Sequence, residues 1–334
     1  MKVLFIGGTG IISTAVTQLA IEKGIDLYLF NRGQHKDFVP KGAKVIKGDI
    51  RDKSAFAKML KGKTFDVVVD WLAYMPKDVE TDIKVFKGSV GQYMFISSAS
   101  AYQKPPTHWL ITESTPLANP YWQYSRDKIA CEDRLMAEYR NNGFPITIVR
   151  PSLTYGLTMI PAAINSWTKP WTILDRMRKG KKIIIHGDGT SLWTMTHNTD
   201  FAKGFVGLIG NIQTIGHAFH ITSDEVLTWN QIYQAIADAA GIKLNAVYIP
   251  SDFIAKINPD IAGTLLGDKS WCAVFDNSKI KRFVPDFVAT VPFSEGVKRS
   301  IEWFEADKFR CVVDADYNRF MDRLIAAYEK ALPK

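Results

Sequence analysis

The sequence predicts an α/β protein with a doubly wound parallel sheet and a smaller, discontinuous C-terminal α/β domain. Two observations carry this prediction. Over residues 1–150, short continuous apolar runs alternate with helix-like segments, which is typical of parallel sheets covered by helices on both faces. A glycine-rich turn, Gly7-Gly8-Thr9-Gly10, follows the first apolar run and opens the first helix. The length of 334 residues fits about two domains of roughly 150 residues each.

The first half of the chain supplies most of the predicted sheet. Strand-like runs lie at residues 2–6, 27–30, 44–47, 66–69, 93–96 and 146–149. Segments with helical spacing lie at residues 14–23, 54–60 and 121–141. Right-handed crossovers between parallel strands place ligands at the C-terminal ends of the strands, so we expect the functional residues at that edge.

The composition changes after Arg150-Pro151. Residues 151–192 are rich in Pro, Trp and Lys, with one helix predicted near 171–179. Further helices are predicted at 200–209 and 229–240, and one more sheet strand at 217–221. We expect a dinucleotide-binding domain over 1–155 plus about 194–222, a substrate-binding domain over 156–193 and 223–306, and a helical tail over 307–334.

Composition narrows the class of protein. Hydrophobic residues make up 46% of the chain and charged residues 23%, which excludes a largely disordered protein. No uncharged apolar stretch reaches the ~18 residues of a membrane span, and the three scattered cysteines predict neither disulfides nor zinc. We therefore expect a cytoplasmic protein without a metal site. The net charge of +8 suits dinucleotides, nucleotide sugars or nucleic acid without choosing among them.

The glycine turn has the context of a phosphate-binding loop. Gly7 and Gly10 stand where a tight turn and a close approach of backbone amides to a pyrophosphate require glycine. Ser13 replaces the usual third glycine, and its small side chain still permits close helix packing. The strand before the turn and the helix after it favour dinucleotide binding over a structural turn. Ile11 and Ile12, inside the turn, are predicted to contact the cofactor.

The adenosine end of the cofactor is predicted to meet the second and third strands. The acidic residue that usually binds the ribose 2′-hydroxyl is replaced by Asn31, followed by Arg32. Asn31 can bind the hydroxyl and Arg32 can pair with a 2′-phosphate, so both NAD and NADP stay open. Asp49 and Ile50, after the third strand, are placed to reach the adenine. Leu72, after the fourth strand, completes the predicted cofactor contacts.

Tyr124 and Lys128 stand four residues apart on the predicted helix and therefore share one face. A nearby ammonium, together with a positively charged nicotinamide, is expected to lower the pKa of the tyrosine. Tyr124 would then act as a base toward a hydroxyl or as an acid toward a ketone. The strand at 93–96 leads into Ser97-Ser98-Ala99-Ser100, which places hydroxyl groups at the same sheet edge.

The order of these motifs, with Arg150-Pro151 after them, resembles the extended short-chain dehydrogenase/reductase superfamily and its NAD-dependent epimerase/dehydratase branch. The resemblance covers about residues 1–306 and implies a Rossmann-type fold. It implies that Ser98 hydrogen-bonds the reacting oxygen, Tyr124 is the acid/base, and Lys128 supports Tyr124 and binds the nicotinamide ribose. It also implies a homodimer. A looser similarity connects the chain with bacterial relatives of chloroplast stem-loop-binding proteins.

Departures from the family pattern narrow the reaction. Dehydratases carry an Asp-Glu pair where this chain has Ala99-Ser100, so dehydration is disfavoured. Nucleotide-sugar epimerases carry an arginine after Gly-Asp-Gly to bind the diphosphate, and Trp193 takes its place here. Ser100, Trp193 and Arg282 are the predicted substrate contacts.

The leading prediction is an NAD(P)-dependent epimerase or dehydrogenase. It would act on a secondary hydroxyl of a sugar or sugar-nucleotide-like substrate by coupled proton and hydride transfer. Two alternatives stay open at this point. One is an RNA-binding protein that keeps the fold with little redox activity. The other is an NAD(P)-bound sensor.

Overall fold

The computed structural model describes residues 1–333 and contains strands and helices in alternation. The strands are β1 (Lys2–Ile6), β2 (Asp26–Asn31), β3 (Lys44–Lys47), β4 (Phe65–Asp70), β5 (Val90–Ile96), β6 (Leu110–Ile111), β7 (Ile146–Val149), β8 (Leu153–Tyr155), β9 (Ile183–His186), β10 (Leu192–Trp193), β11 (Met195–His197), β12 (Ala218–Phe219), β13 (Leu227–Thr228), β14 (Ala246–Ile249) and β15 (Val274–Phe275).

The helices alternate with the strands in the first half of the chain and dominate the second half. They are α1 (Ser13–Glu22), α2 (Lys53–Leu60), α3 (Pro76–Phe86), α4 (Gln123–Asn142), α5 (Thr172–Arg178), α6 (Asn198–Leu208), α7 (Trp229–Ala239), α8 (Ser251–Ile257), α9 (Pro259–Thr264), α10 (Ser278–Phe283), α11 (Phe293–Glu305) and α12 (Ala315–Ala331).

The central sheet is parallel and has the order β12-β7-β5-β4-β1-β2-β3. The chain runs outward from β1 to β3 and then returns to the other side of β1 as β4, so the direction of winding reverses there. The register sets Ile6 opposite Phe30 on one side and Asp70 on the other. The segments that follow these strands therefore emerge together, at the crevice where such sheets bind ligands.

Apolar side chains cover both faces of the sheet. One core joins β1 and β4 to α1 and α6 through residues such as Val16 and Phe205. The other joins the opposite face to α2, α3 and α4 through Phe56, Ile83 and Leu135. This double cover explains the continuous apolar runs in the sequence. The prediction of a Rossmann-type doubly wound sheet is confirmed.

A further core lies beyond the sheet, in the C-terminal half. It gathers α5, β9, α7, α11 and α12, with Trp193, Trp229 and Leu324 buried in it. Within the predicted tail, residues 307–333 hold a short 3-10 turn at Lys308–Arg310 followed by α12. Residue 334 lies outside the described residues. The predicted division into domains stays a prediction.

Most predicted elements appear with ends shifted by one to three residues. Helix α3 was missing from the prediction because its sequence is strongly polar on one face and begins with Pro76. Proline at the first helical position suits a helix start, since its missing amide hydrogen would have no partner there. Asp78 then accepts hydrogen bonds from the amides of Tyr74 and Met75, at 3.1 Å each.

Candidate functional site

The glycine turn contains two neighbouring residues in a left-handed backbone conformation. Gly7 and Gly8 have φ of +102° and +96°, which L side chains rarely adopt. A Cβ on Gly7 would lie 3.3 Å from Leu72 Cγ, and one on Gly8 would lie 2.8 Å from Leu29 Cδ2. The side chain of Thr17 secures the turn by donating a buried 2.7 Å hydrogen bond to Gly8 O. The turn thus leaves open backbone directly before the N-terminus of α1.

A cavity of about 970 Å³ extends from this turn along the C-terminal ends of the strands. All the predicted cofactor and catalytic residues lie on its wall. They are Gly7, Gly10, Ile11, Ile12, Asn31, Arg32, Asp49, Ile50, Leu72, Ser98, Tyr124 and Lys128. Ser100 and Trp193 line it as well. The structure therefore brings together residues from the C-terminal ends of β1 to β5, from α4 and from β10, while their roles stay predictions.

The adenosine end fits the predicted ligand. Asn31 Oδ1 accepts a 2.8 Å hydrogen bond from Gly33 N, while its Nδ2 is buried with no hydrogen-bond partner among residues 1–333. A ribose hydroxyl would supply the missing acceptor. Arg32 is exposed and forms no ion pair within the same residues. Asp49 is held by Arg51, whose hydrogen bonds lower the pKa of Asp49 to about 2, so its negative charge is already paired.

The catalytic end contains a chain of three hydroxyl groups. Ser98 Oγ lies 2.9 Å from Ser100 Oγ, which accepts a 2.8 Å hydrogen bond from the buried Ser125 Oγ. The first turn of α4 supplies Tyr124 and Ser125, and the segment after β5 supplies the other two serines. Tyr124 packs against Trp122, with ring centroids 4.8 Å apart.

The protein by itself does not produce the low pKa that the sequence predicts for Tyr124, a prediction that also requires the charge of a nicotinamide. Burial raises the pKa of Tyr124 to about 12, although the Ser98 hydroxyl lowers it in part. Lys128 turns its ammonium elsewhere, donating to Ala73 O at 2.6 Å and Ile96 O at 2.7 Å. Its Nζ lies 5.8 Å from the centroid of the Tyr124 ring, and burial lowers the pKa of Lys128 itself to about 8.

A buried acid pair beneath the cavity was absent from the predictions. Asp70 and Asp82 are fully buried, and one carboxylate oxygen of each, Asp70 Oδ2 and Asp82 Oδ1, has no hydrogen-bond partner among residues 1–333. Burial raises the pKa of Asp82 well above its usual range, and the neighbouring charge of Asp70 raises it further. Tyr93 donates a 2.6 Å hydrogen bond to Asp82, and Asp70 accepts from the amides of Leu72 and Ala73. The pair thus holds the loop that accepts the Lys128 hydrogen bond.

A second buried network ties α4 to the sheet edge. Glu132, one helical turn after Lys128, accepts hydrogen bonds from Arg150 Nε at 3.0 Å and Arg150 Nη2 at 2.6 Å. The hydroxyl of Ser97 also donates to this carboxylate. Tyr124, Lys128 and Glu132 follow one another at four-residue intervals, and this spacing is the sequence signal from which the network could have been predicted.

Arg282 is a wrong prediction. It lies exposed on α10, outside the cavity wall. The buried side chain of Ile280 packs into the core beside the sheet, so Arg282 lies on the solvent side of the helix. The basic residues at 176–182 also lie outside the cavity wall. Arg176 and Lys181 pair with Asp322 of α12 at 2.7 and 2.8 Å, and Lys182 pairs with Glu329. This basic segment binds the acidic face of the C-terminal helix.

The wall of the cavity opposite the glycine turn comes from distant parts of the chain. Lys104, Trp193, Asp268 and Lys269 line it. Trp193 is 2% exposed, and its Nε1 has no hydrogen-bond partner among residues 1–333. Sequence reasoning missed the two lysines and the aspartate because no motif surrounds them.

Comparison with known proteins assigns the family. The sequence model described as the NAD dependent epimerase/dehydratase family matches residues 3–87 and 83–222. The chain belongs to this family. No helix within residues 1–333 combines the length and apolar character needed to cross a membrane.

Relatives in this family have diverse activities. The chain is 24% identical over 287 residues to 2′-dehydrokanamycin reductase of Streptomyces kanamyceticus, covering 86% of this chain and 80% of the relative. It is 25% identical over 267 residues to chloroplast stem-loop binding protein of 41 kDa b of Arabidopsis thaliana, covering 75% and 67%.

Solved structures agree on the fold. UDP-glucuronic acid 4-epimerase from Bacillus cereus, with UDP-glucuronic acid and NAD, superposes with a TM-score of 0.73 at 17% identity. That match covers 92% of this chain and 99% of the epimerase. dTDP-glucose 4,6-dehydratase from Bacillus anthracis superposes with a TM-score of 0.72 at 18% identity, over 92% of this chain and 98% of the dehydratase.

Proposed function

We propose that this protein is an NAD(P)-dependent oxidoreductase or epimerase acting on a secondary hydroxyl, or the corresponding ketone, of a carbohydrate-like substrate. One observation carries the proposal. Ser98, Tyr124 and Lys128 lie on the wall of the same cavity that begins at the glycine turn. A dinucleotide seated on that turn can extend toward the phenol along the strand ends, as ligands do in this fold.

Tyr124, Ser98 and Lys128 have separate roles in the proposed proton transfer. When bound, the dinucleotide supplies the hydride donor or acceptor. Tyr124 keeps its proton at neutral pH because burial raises its pKa to about 12, and it can donate that proton to a ketone oxygen. Ser98 holds the same oxygen, and its contact with Ser100 fixes its orientation. Lys128 secures the loops after β4 and β5 through its two carbonyl contacts.

The protonated state of Tyr124 supports ketone reduction as the favoured direction near neutral pH. Oxidation of an alcohol would require the phenol to lose its proton first, so the rate of oxidation should rise with pH. The similarity to a 2′-dehydrokanamycin reductase supports the same direction.

NADP(H) is the cofactor that the adenosine end supports best. No acidic side chain stands at the end of β2 to repel a 2′-phosphate, since Asn31 and Arg32 follow one another there. Arg32 is exposed and can form a charge-assisted hydrogen bond to that phosphate. Asp49, the nearest acid on the cavity wall, is neutralised by Arg51.

Replacing the catalytic phenol tests the proposal. Purified protein is assayed by NADPH absorbance with ketones and alcohols that include 2′-dehydrokanamycin and sugar nucleotides. Tyr124→Phe should reduce turnover by about 10²- to 10⁴-fold, the usual contribution of general acid catalysis, and leave cofactor binding within about twofold. Tyr121→Phe, at an exposed position before α4, is the matched control.

Two outcomes would contradict the proposal. Turnover retained by Tyr124→Phe would remove this residue from the chemistry. Absence of turnover and cofactor binding, combined with RNA binding that weakens steeply with salt, would support the RNA-binding alternative instead.

A further inference from the structure

Lys104 is a buried lysine whose ammonium has no partner. The residue is 3% exposed and lines the cavity. Within residues 1–333 its Nζ forms neither a hydrogen bond nor an ion pair, although its backbone amide donates to Ala118 O at 2.8 Å. The neighbouring amide of Gln103 donates to Pro116 O at 2.8 Å. The loop is thus anchored, and the cavity is the space left to the charged group.

An unpaired ammonium in such a place destabilises a folded protein. Removing a charge from water costs several kcal/mol unless a counter-charge or hydrogen-bond acceptor compensates for it. Burial accordingly lowers the pKa of Lys104, and Asp268 opposes this only in part. Because the protein supplies no acceptor, the ammonium is left to water or to a ligand in the cavity, and a negatively charged ligand compensates the charge more fully.

The charges around Lys104 indicate what that ligand carries. Asp268 is already shared with Lys269, whose Nζ lies 3.5 Å from its carboxylate. Two lysines therefore face one aspartate on this wall, leaving one positive charge in excess. Asp260, also on the wall, is exposed, so solvent screens its charge.

The cavity wall that contains Lys104 and Asp268 adjoins the chain of serine hydroxyl groups near Tyr124. Asn119 donates to Ser100 O at 2.8 Å and to Gly267 O at 2.7 Å, which ties the hydroxyl chain to the π-helical turn Leu265–Lys269. A Cβ on Gly267 would lie 2.9 Å from Trp122 Cβ, so this turn packs directly on the start of α4. The charge of Asp268 acts on the phenol of Tyr124 across this contact. The excess positive charge therefore lies beside the reacting end of the cavity.

We propose that Lys104 binds a single carboxylate of the substrate, which makes the substrate a hydroxy- or keto-sugar acid. This inference rests on the proposed function. A nucleotide diphosphate fits less well, because two or more negative charges would face a single excess cation. Arg32 is the one arginine of residues 1–333 that lines the cavity, and it lies at the opposite, adenosine end. A carboxylate would accept a charge-assisted hydrogen bond from Lys104 and would neutralise the excess positive charge.

Matched sugars test the assignment by binding alone. NADP⁺-saturated protein is titrated by ligand-observed NMR with methyl β-D-glucuronide, methyl β-D-glucoside and UDP-glucose. The first two differ only in a carboxylate against a hydroxymethyl group. We expect the glucuronide to bind at least about tenfold more tightly than the glucoside. Lys104→Met should remove this preference, Lys104→Arg should retain part of it, and Lys243→Met, at an exposed lysine, should leave it unchanged.

A urea titration of the same variants checks the burial argument independently. Lys104→Met should unfold at a higher midpoint than the wild type, because it removes an uncompensated buried charge. Equal binding of the two methyl sugars, no binding of either, or a preference that survives Lys104→Met overturns the inference. If UDP-glucose binds more tightly than the glucuronide and this binding depends on Lys104, the proposed carboxylate site is wrong and Lys104 binds a phosphate.

The two proposals fail in different ways. Turnover of a ketone that depends on Tyr124, with no preference for the glucuronide, would refute the carboxylate site alone. Absence of cofactor binding and turnover would refute the proposed function itself.

Discussion

Glu132→Gln should cost this protein a large part of its stability, although Glu132 takes no direct part in the proposed reaction. The carboxylate of Glu132 accepts three hydrogen bonds from Arg150 and one from Ser97. Both charged side chains are nearly inaccessible, at 3% exposed for Glu132 and 7% for Arg150. Glutamine keeps the size of the side chain but removes the negative charge, so the guanidinium stays buried without a counter-charge.

The expected loss is about 3–5 kcal/mol, the usual cost of breaking a buried ion pair by removing one partner. Two remaining contacts of Arg150 favour the lower half of this range. Its Nη1 still donates to Glu113 O at 3.3 Å, and the guanidinium still lies 4.9 Å from the centroid of the Tyr102 ring. A protein with about 5–15 kcal/mol of total stability would lose a substantial share.

Urea unfolding followed by far-UV circular dichroism measures the change as a shift in midpoint at constant slope. The double variant Glu132→Leu/Arg150→Met should recover most of the loss, because apolar residues of similar volume need no charge compensation. A Glu132→Gln variant within about 1 kcal/mol of wild type would refute this reasoning. So would a double variant that is no more stable than the single one.

Two other predictions concern the cofactor site and the buried acid pair of Asp70 and Asp82. Arg32→Glu should weaken NADPH binding by at least about tenfold and change NADH binding by less than about threefold, as measured by fluorescence titration. Arg323→Glu, an exposed control on α12, should alter neither, and equal losses for both cofactors would exclude a 2′-phosphate contact. Because burial raises the pKa of Asp82, the folded chain keeps a proton that the unfolded chain releases above about pH 4, and stability should fall as pH rises from there. Asp82→Asn, which imitates the protonated acid, should flatten this decline in urea titrations between pH 5 and 8. Asp70→Asn should instead lose about 1–3 kcal/mol at pH 7, and a steeper decline in Asp82→Asn would contradict the raised pKa of Asp82.

Several features of the site follow from local sequence. A glycine turn between an apolar strand and a helix needs only neighbouring residues, and Gly7 adopts the positive φ that such a turn requires. The four-residue spacing of Tyr124 and Lys128 fixes their common face through helix geometry alone. The strand register then brings the segments after β1, β2 and β4 together, as alternating strands and helices predict.

Other features depend on segments far apart in the chain. The sequence predicts an ammonium beside Tyr124, but it shows neither the burial that raises the pKa of this phenol nor the carbonyl groups that hold Lys128. Arg282 was predicted at the substrate for its charge, yet the packing of α10 leaves it outside the cavity. Lys104 went unnoticed because nothing next to it in sequence distinguishes it from a surface lysine.

The amino-acid sequence by itself determined the parallel sheet, the glycine turn and the shared face of Tyr124 and Lys128. These depend on periodicity and on backbone freedom, which act between residues close together in the chain. Only the tertiary structure decided which charges are buried and which are compensated. Desolvation and ion pairing depend on contacts such as that between Arg176 and Asp322, which join distant segments.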